Sequence, residues 1–378
     1  MFRSILMKHR NLISGKDGMK MRRKYLDNIR WVTVLLVVFY HIFYMFNADG
    51  AAGGPGPFYD SQPWDAVQYV LYPWFMILLY MVSGISSRIY LEDHTDKEFL
   101  RSRTVKVLVP STIGVMVLGW IQGIVNLKIS GAYEAMSDLP KIVPVIMTFA
   151  SGTGVLWYLH LLWLYCLILY FIRKAEKGKL YSLTEKMPFA AVVALGFILF
   201  AAAQVANAPI VVCYRFGVYA MAFFLGYFVF AHEEIIDRLC RYWVLLLVLT
   251  VTFFAVYFMK YFGENYADVD IFKGPESMAF AWFMCLLMLA VFKKFFDMEN
   301  AFTQFMSSTS FGLYVFHYFG ISLSAYLLYN YTLVPVPLIY IITGISGYAA
   351  GFAIAAVIKR IPFLRWCMLG ITKPQRNN

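Results

Sequence analysis

Ten stretches of about 20 mostly apolar residues recur along this chain of 378 residues. A helix of about 20 residues crosses the roughly 30 Å hydrocarbon core of a bilayer with its backbone groups paired internally. We therefore expect an all-α, polytopic integral membrane helix bundle of about ten transmembrane helices. The predicted spans are residues 29–47, 66–87, 106–127, 154–172, 188–206, 209–230, 243–261, 277–296, 308–329 and 336–358. The apolar segment 141–150 is too short to cross and is expected to be re-entrant or interfacial.

The composition excludes a soluble enzyme and a disordered chain. Hydrophobic residues make up 61% of the sequence and charged residues only 15%, against roughly 25% charged residues in soluble proteins. Such a chain could not cover itself with polar surface, and it is too apolar to stay unfolded. We therefore attribute the net charge of +11 to cations placed on one side of the membrane, and we expect no nucleic-acid partner.

The cations are distributed unevenly between alternate connections. With the N-terminus inside, 28 of the 33 Lys and Arg residues fall on the inner side, as the positive-inside rule requires. The distribution predicts that both termini are cytosolic. It also predicts a basic cytosolic arm at residues 1–24, a membrane domain at 25–360 and a cytosolic tail at 361–378.

The five cysteines are far apart and form neither a CxxC pair nor a cluster with histidine. We interpret them as small apolar residues of the helices, without a disulfide framework and without a metal site. They are Cys166, Cys213, Cys240, Cys285 and Cys367.

The first span carries the strongest group of ionisable residues at membrane depth, where such residues are costly and are functional candidates. Arg30 and His41 are eleven residues apart, so they lie on one face of a helix, about 16 Å apart along its axis. Asp27 can pair with Arg30 across one helical turn. The alternative is that Asp27 and Arg30 anchor the helix at the interface and His41 serves helix packing.

A second group of polar residues lies near the predicted inner surface. Ser83 and Gly84 in the second span are small enough to let a helix or a ligand approach closely. Four cations follow, and they either bind lipid headgroups or hold an anionic, phosphate-bearing cosubstrate. These cations are Arg88, Arg101, Arg103 and Lys106.

His317 in the ninth predicted span lies at a depth similar to that of His41, so the two histidines could meet at mid-membrane. Tyr314 precedes it by one turn. Toward the predicted outer side lie Trp157, Tyr158 and His160 on the fourth span and Arg215 on the sixth, and the two aromatic residues could equally be part of an interfacial belt.

The order of these motifs resembles the large membrane acyltransferase family 3, which includes polysaccharide O-acetyltransferases and glucan succinyltransferases. The family pattern is Leu-Asp, then an Arg, ten residues and a His in the first span. Further matches are Val-Ser-Gly at 82–84, Arg and Lys at 103 and 106 before a proline, Leu-Trp-Tyr-Leu at 156–159, Phe-Leu-Gly-Tyr at 224–227 and the segment 310–317. The chain departs from the pattern at Lys106, where Arg is usual, and at Tyr158, where Phe is usual.

This resemblance implies an O-acyltransferase of the cell membrane, in a bacterial cytoplasmic membrane. The donor would be cytosolic acyl-CoA, acetyl-CoA or succinyl-CoA, used as a cosubstrate, with no bound cofactor. The acceptor would be a hydroxyl of a saccharide or lipid-linked glycan. The other expected partners are membrane lipids and, in a homodimer, a second copy of the chain. His41 would be general base or acyl carrier, since imidazole takes and gives a proton near neutral pH.

The resemblance also assigns the remaining residues. Arg30 and Asp27 would act with His41, and Ser83 would join the four inner cations in binding the donor. The acceptor side would contain Trp157, Tyr158, His160, Arg215, Tyr314 and His317.

Three other classes fit parts of the pattern. A proton-coupled transporter or flippase of glycans would also place His and Arg at mid-membrane, although the chain shows no repeated halves of the kind common in carriers. A membrane scaffold for glycan synthesis would tolerate replacement of Arg30 and His41. A histidine-dependent acyltransferase of another membrane family would not need this Arg-to-His spacing.

Overall fold

The computed structural model describes residues 23–50, 53–208 and 213–372, and these are helical almost throughout. The predicted basic arm at 1–24 lies outside the described residues except for its last two. The fold class is therefore as predicted, a polytopic helix bundle. Its main helices are α1 (Lys24–Tyr44), α2 (Pro63–Asp93), α3 (Asp96–Ile129), α4 (Ile142–Ser151), α5 (Gly154–Glu176), α6 (Phe189–Ala203), α7 (Phe216–Phe228), α8 (Glu233–Arg241), α9 (Trp243–Tyr261), α10 (Pro275–Phe295), α11 (Ala301–Tyr331), α12 (Val336–Ile358) and α13 (Pro362–Leu369).

Fewer helices have the length of a membrane span than the sequence predicted. In the described part of the chain, eight are long and apolar enough to cross a membrane. The predicted fifth and sixth spans correspond to α6 and α7, which have only 15 and 13 residues. The chain bends by 103° between α7 and α8. Apolar runs overestimate helix length here because apolar residues continue past the point where the backbone leaves the helix.

The start of α1 is fixed to the segment that leads into α11. The Asn28 side-chain amide donates to the carbonyls of Phe296 and Met298, at 2.7 and 2.9 Å. The two helices pack side by side from this common level. His41 and His317 then lie at the same depth, since each is about 25 Å from the start of its helix at about 1.5 Å per residue.

Helices α2 and α7 touch backbone to backbone. A Cβ atom on Gly84 would lie 2.0 Å from the Phe223 carbonyl oxygen, and one on Gly226 would lie 2.0 Å from the Met81 carbonyl oxygen. Only glycine allows this approach, so Gly84 serves helix packing, which is one of the roles expected for small residues in membrane helices. The contact holds Ser83 and its neighbours on α2 against the rest of the bundle.

The loop between α1 and α2 contains a buried acid, Asp49, which is only 8% exposed. Burial, helped by the negative charge of Asp65, raises the pKa of Asp49 to about 6. The folded protein therefore binds a proton between about pH 4 and 6 that the unfolded chain does not bind. Stability consequently rises as the pH falls through this window.

Replacing Asp49 by Asn is expected to stabilise the protein at pH 7.5, because the amide carries no buried charge. The gain is on the order of 1–2 kcal/mol, which corresponds to a few degrees in Tm. It should fall to about half at pH 5, where Asp49 is protonated in the folded protein but still ionised in the unfolded chain, and it should disappear only below about pH 4. Thermal unfolding of both proteins in detergent at the two pH values tests this, and an equal Tm difference at both would contradict the assigned burial cost.

Candidate active site

The central feature of the site is a pair of histidines on α1 and α11. His317 Nε2 lies 3.3 Å from His41 Nδ1, and the ring centroids are 5.2 Å apart. The predicted meeting of the two residues at one depth is confirmed. His317 is fully buried, whereas His41 is partly exposed to a cavity.

The neighbouring carbonyls determine which nitrogen of each ring carries the proton. His317 Nδ1 lies 2.9 Å from the Tyr314 carbonyl and 3.1 Å from the Leu313 carbonyl, and His41 Nδ1 lies 2.8 Å from the Val37 carbonyl. A carbonyl only accepts, so both Nδ1 atoms must donate and both Nε2 atoms carry a lone pair. His41 Nε2 has no hydrogen bond to any described residue and is available to a substrate.

His41 lines a cavity of about 480 Å³. The wall is mainly aromatic and includes two side-chain amides. Among its described residues, His41 is the only histidine, and there is no Asp, Glu, Lys or Arg. It consists of Val37, Tyr40, His41, Tyr44, Gly50, Tyr72, Phe75, Met76, Asn126, Gly154, Val155, Trp157, Cys213, Tyr219, Asn265, Ala267, Tyr314 and Tyr318. Aromatic faces together with a few fixed polar groups are typical of a small-molecule site.

Trp157 and Tyr314, two of the residues that the resemblance assigns to the acceptor side, line this wall. Tyr314 is held by a hydrogen bond from its hydroxyl to the Val155 carbonyl. Sequence reasoning missed Tyr318, whose ring centroid is 5.1 Å from that of His41. Its only signal was its position beside His317.

Ser83, from the predicted donor group, is in contact with Tyr158, from the predicted acceptor group. Ser83 Oγ lies 2.9 Å from the Tyr158 hydroxyl. The sequence analysis had placed Ser83 with the donor and Tyr158 with the acceptor. In the structure, neither side chain lines the cavity of His41, and the two form one polar contact between α2 and α5.

The contact between Ser83 and Tyr158 predicts non-additive mutations. Tyr158→Phe and Ser83→Ala each remove the hydrogen bond between the two hydroxyls, and Tyr158→Phe also removes a 3.4 Å bond to the Leu79 carbonyl. Each should cost about 1 kcal/mol of stability and less than about tenfold in activity. The double variant should lose no more than Tyr158→Phe alone. Unfolding and acyl-transfer assays on all three proteins test this, and additive losses would show that the hydroxyls act separately.

Arg30 lies on α1 on the same face as His41. Its Nη1 is 2.8 Å from Asp27 Oδ1, which confirms the predicted pairing, and its Nη2 donates to the hydroxyl of Ser86. The Arg30 side chain is 37% exposed. Ser86 was missed, although it lies one turn from Ser83 on α2. Arg30 does not line the cavity. It lies eleven residues along α1 from His41, which does.

The four other predicted donor-side cations also lie outside the cavity. Arg88 stacks its guanidinium over Tyr181, 3.7 Å from the ring centroid, and donates to the Tyr227 hydroxyl at 3.4 Å. Arg103 lies over Tyr90 and Phe99. The side chains of Arg101 and Lys106 are exposed. These cations surround the start of α3 together with Arg173, which sequence reasoning missed and which pairs with Asp96 at 2.7 Å.

Besides Tyr158 and His317, two further predicted acceptor-side residues do not line the cavity. His160 Nε2 donates to the Ser111 carbonyl at 2.6 Å, which ties α5 to α3. Arg215 is fully buried behind the wall, where it donates to the Tyr72 hydroxyl at 3.2 Å and to the Ala267 carbonyl at 2.7 Å. Arg215 therefore does not contact the cavity itself, but it holds Tyr72 and Ala267, which line it.

The fold and the site define a polytopic helical membrane protein with a histidine pair beside an aromatic cavity and a group of cations outside that cavity. Compared with protein families, residues 23–360 match the acyltransferase domain of acyltransferase family 3. The match covers nearly the whole chain. The chain belongs to this family of O-acyltransferases, and it is a multi-pass membrane acyltransferase. No curated protein and no solved structure matched the chain, and the family match gives no support to a transporter.

Proposed function

We propose that the protein transfers an acyl group from cytosolic acyl-CoA to a hydroxyl of a cell-surface or lipid-linked saccharide, in a bacterial cytoplasmic membrane. The observation that carries the proposal is the free Nε2 of His41 at the wall of the 480 Å³ cavity, on the same helix face as Arg30. Acetyl and succinyl are the acyl groups that the resemblance suggests.

The acceptor is assigned to the cavity of His41 on chemical grounds. Sugar rings pack their apolar faces on aromatic side chains, and their hydroxyls bond to amides and phenols. Trp157, Tyr219 and Tyr314 provide such faces, and Asn126 and Asn265 provide amides. A hydroxyl bound there can donate its proton to His41 Nε2.

The donor is assigned to the cations around Arg30. Guanidinium groups bind phosphate oxygens through paired, charge-assisted hydrogen bonds, and Arg101 and Lys106 are exposed to a soluble cosubstrate. The separation of Arg30 and His41 is about 16 Å along α1, a distance that an extended pantetheine arm can cover. The thioester would then reach His41 while the nucleotide phosphates remain among the cations.

In the proposed step, His41 Nε2 takes the proton of the acceptor hydroxyl while the oxygen attacks the thioester carbonyl. The C–O bond forms, the C–S bond breaks, and the CoA sulfur leaves and takes up the proton. His317 Nε2 faces His41 Nδ1 with a lone pair and stabilises the imidazolium that forms. In the alternative course, His41 Nε2 attacks the thioester carbonyl, the C–S bond breaks and the CoA thiolate leaves. The acceptor oxygen then attacks the acyl carbon, the C–N bond to His41 breaks, and the hydroxyl proton passes to the thiolate.

The proposal is tested by incubating the purified chain in nanodiscs with acetyl-CoA or succinyl-CoA and a glycan and lipid extract of cells that lack the gene. We expect release of the CoA thiol and incorporation of the acyl group into the extract. A transporter or scaffold would consume no acyl-CoA, and such a result would overturn the proposal. A variant with His41 replaced by Gln serves as the inactive control.

A further inference from the structure

A second cavity adjoins the cavity of His41. Its volume is about 140 Å³, and it lies between α3, α11 and the beginning of α5. It shares Gly154, Val155 and Tyr318 with the wall of the His41 cavity. We call it the side pocket, and its wall consists of Leu118, Gly119, Ile121, Gln122, Gly152, Thr153, Gly154, Val155, Leu156, Val315, Phe316, Tyr318, Phe319, Ile354 and Met368.

Among the described residues, none that lines the side pocket is charged. Gln122 is its main polar side chain, and its amide nitrogen is already engaged by Asn126 and Ser322, at 2.7 and 2.9 Å. The amide oxygen of Gln122 is buried without a hydrogen-bond partner among the described residues, so it can accept from a neutral donor but would repel an anion. A group that enters this space must therefore be uncharged and, against so apolar a wall, mainly hydrocarbon, because a charge there would lose its hydration without gaining a partner. The volume is close to the roughly 150 Å³ of an engineered apolar cavity that holds benzene.

The position of the side pocket limits what can occupy it. Tyr318 borders both spaces, and its ring centroid is 5.1 Å from that of His41. In the proposed step, the acceptor oxygen lies beside His41 and attacks the carbonyl carbon of the acyl group. The acyl tail begins one bond away from that carbon. The hydrocarbon of a lipid-linked acceptor is separated from its reacting hydroxyl by the saccharide, so it does not begin at this point.

We propose that the side pocket receives the tail of the transferred acyl group, and that the donor is a neutral acyl-CoA of about four to six carbons. This inference rests on the proposed function and specifies its donor. It disfavours succinyl, since the carboxylate would enter a wall without a cation. Arg215 offers no partner there, because its contacts lie at Tyr72 and Ala267, outside the wall of the side pocket.

The experiment compares acetyl-CoA, butyryl-CoA, hexanoyl-CoA and succinyl-CoA as donors in the nanodisc assay. Each methylene buried in the side pocket should raise kcat/KM about fourfold, so butyryl-CoA should exceed acetyl-CoA about fifteenfold. Butyryl and succinyl chains have the same carbon count, and the succinyl donor should be at least tenfold poorer. Equal or better use of acetyl-CoA or succinyl-CoA by the unaltered protein would overturn the inference.

Two substitutions fill the side pocket from different helices. Leu118→Trp on α3 and Val315→Phe on α11 should each keep acetyl transfer within about threefold and lower hexanoyl transfer at least tenfold. Leu327→Phe, on an exposed face of α11, is the matched control and should change neither rate. Retained acetyl transfer also reports that each variant is folded.

Three other outcomes are distinguishable. If both filled variants lost the same fraction of acyl-transfer activity with every donor, or if neither lost activity with any donor, the acyl-tail assignment would be overturned. If the filled variants lose activity only with lipid-linked acceptors, at every donor length, the pocket binds the acceptor's hydrocarbon and the inference is wrong. If no donor of any length is consumed, the proposed function fails and the inference fails with it.

Discussion

Replacing His41 by alanine is expected to lower acyl transfer at least about 1000-fold, because Nε2 of this side chain takes the proton of the attacking hydroxyl or carries the acyl group. Nδ1 is held by the Val37 carbonyl and Nε2 is free, so the alanine variant loses a group that is already oriented for reaction. The rate of ester formation in the nanodisc assay measures the effect, with the membrane level of the variant confirmed beforehand.

Two further histidines serve as comparisons for His41. His94 stacks on Tyr90 on the exposed end of α2, and His94→Ala should retain full activity. His317→Ala should lower the rate about 10- to 100-fold, because the imidazolium on His41 loses a supporting lone pair while the base itself remains. Full activity of the His41 variant would contradict its assigned role.

Replacing Arg30 by alanine is expected to weaken the use of acyl-CoA about 10- to 100-fold, as expected for loss of a charge-assisted hydrogen bond to a phosphate or a thioester oxygen. The effect should appear in KM for the donor more than in KM for the acceptor. Steady-state rates with varied acyl-CoA, and binding of CoA itself, measure it. Arg30→Lys should recover only part of the loss, because lysine lacks the paired donors with which Arg30 engages Ser86 and Asp27.

Arg101→Ala is the comparison for Arg30, because the side chain of Arg101 is exposed near the start of α3. It should weaken donor binding less than about tenfold, and the loss should shrink at high salt because exposed charges are screened. If Arg30→Ala left donor affinity and rate unchanged, the proposed donor path along α1 would be wrong.

The sequence predicted the helical membrane fold and the core of the site because intramembrane charges are scarce enough to stand out. Helical geometry alone put Arg30 and His41 on one face, and the pairing of Asp27 with Arg30 followed from their spacing of one turn. The meeting of His41 with His317 depended on depth, which both helices fix from the level of Asn28.

The aromatic wall of the cavity was not predictable in the same way. The chain contains 27 tyrosines and 34 phenylalanines, so nothing in the sequence marks Tyr44, Tyr72 or Tyr318 as lining residues. Their roles depend on which faces the helices present after packing. The shortening of α6 and α7 escaped prediction for a related reason, since hydropathy reports burial in lipid or in protein equally well and does not reveal where a helix ends.

The side pocket could not be predicted either, because it depends on close backbone contacts. Gly119 and Gly152 approach each other so closely that a Cβ on Gly152 would lie 2.3 Å from the Gly119 carbonyl oxygen. This contact brings the segment before α5 against α3 and shapes one end of the pocket. A run of small residues in the sequence does not reveal which partner it meets.

The central claim is that His41 passes an acyl group from acyl-CoA to a saccharide hydroxyl. The most direct measurement is mass spectrometry of surface glycans and lipids from cells that carry the gene, lack it, or carry the His41→Ala variant. We expect an added mass of one acyl type on a saccharide, and we expect it only in the cells that carry the unaltered gene. An identical set of acylated products in all three cell lines would contradict it.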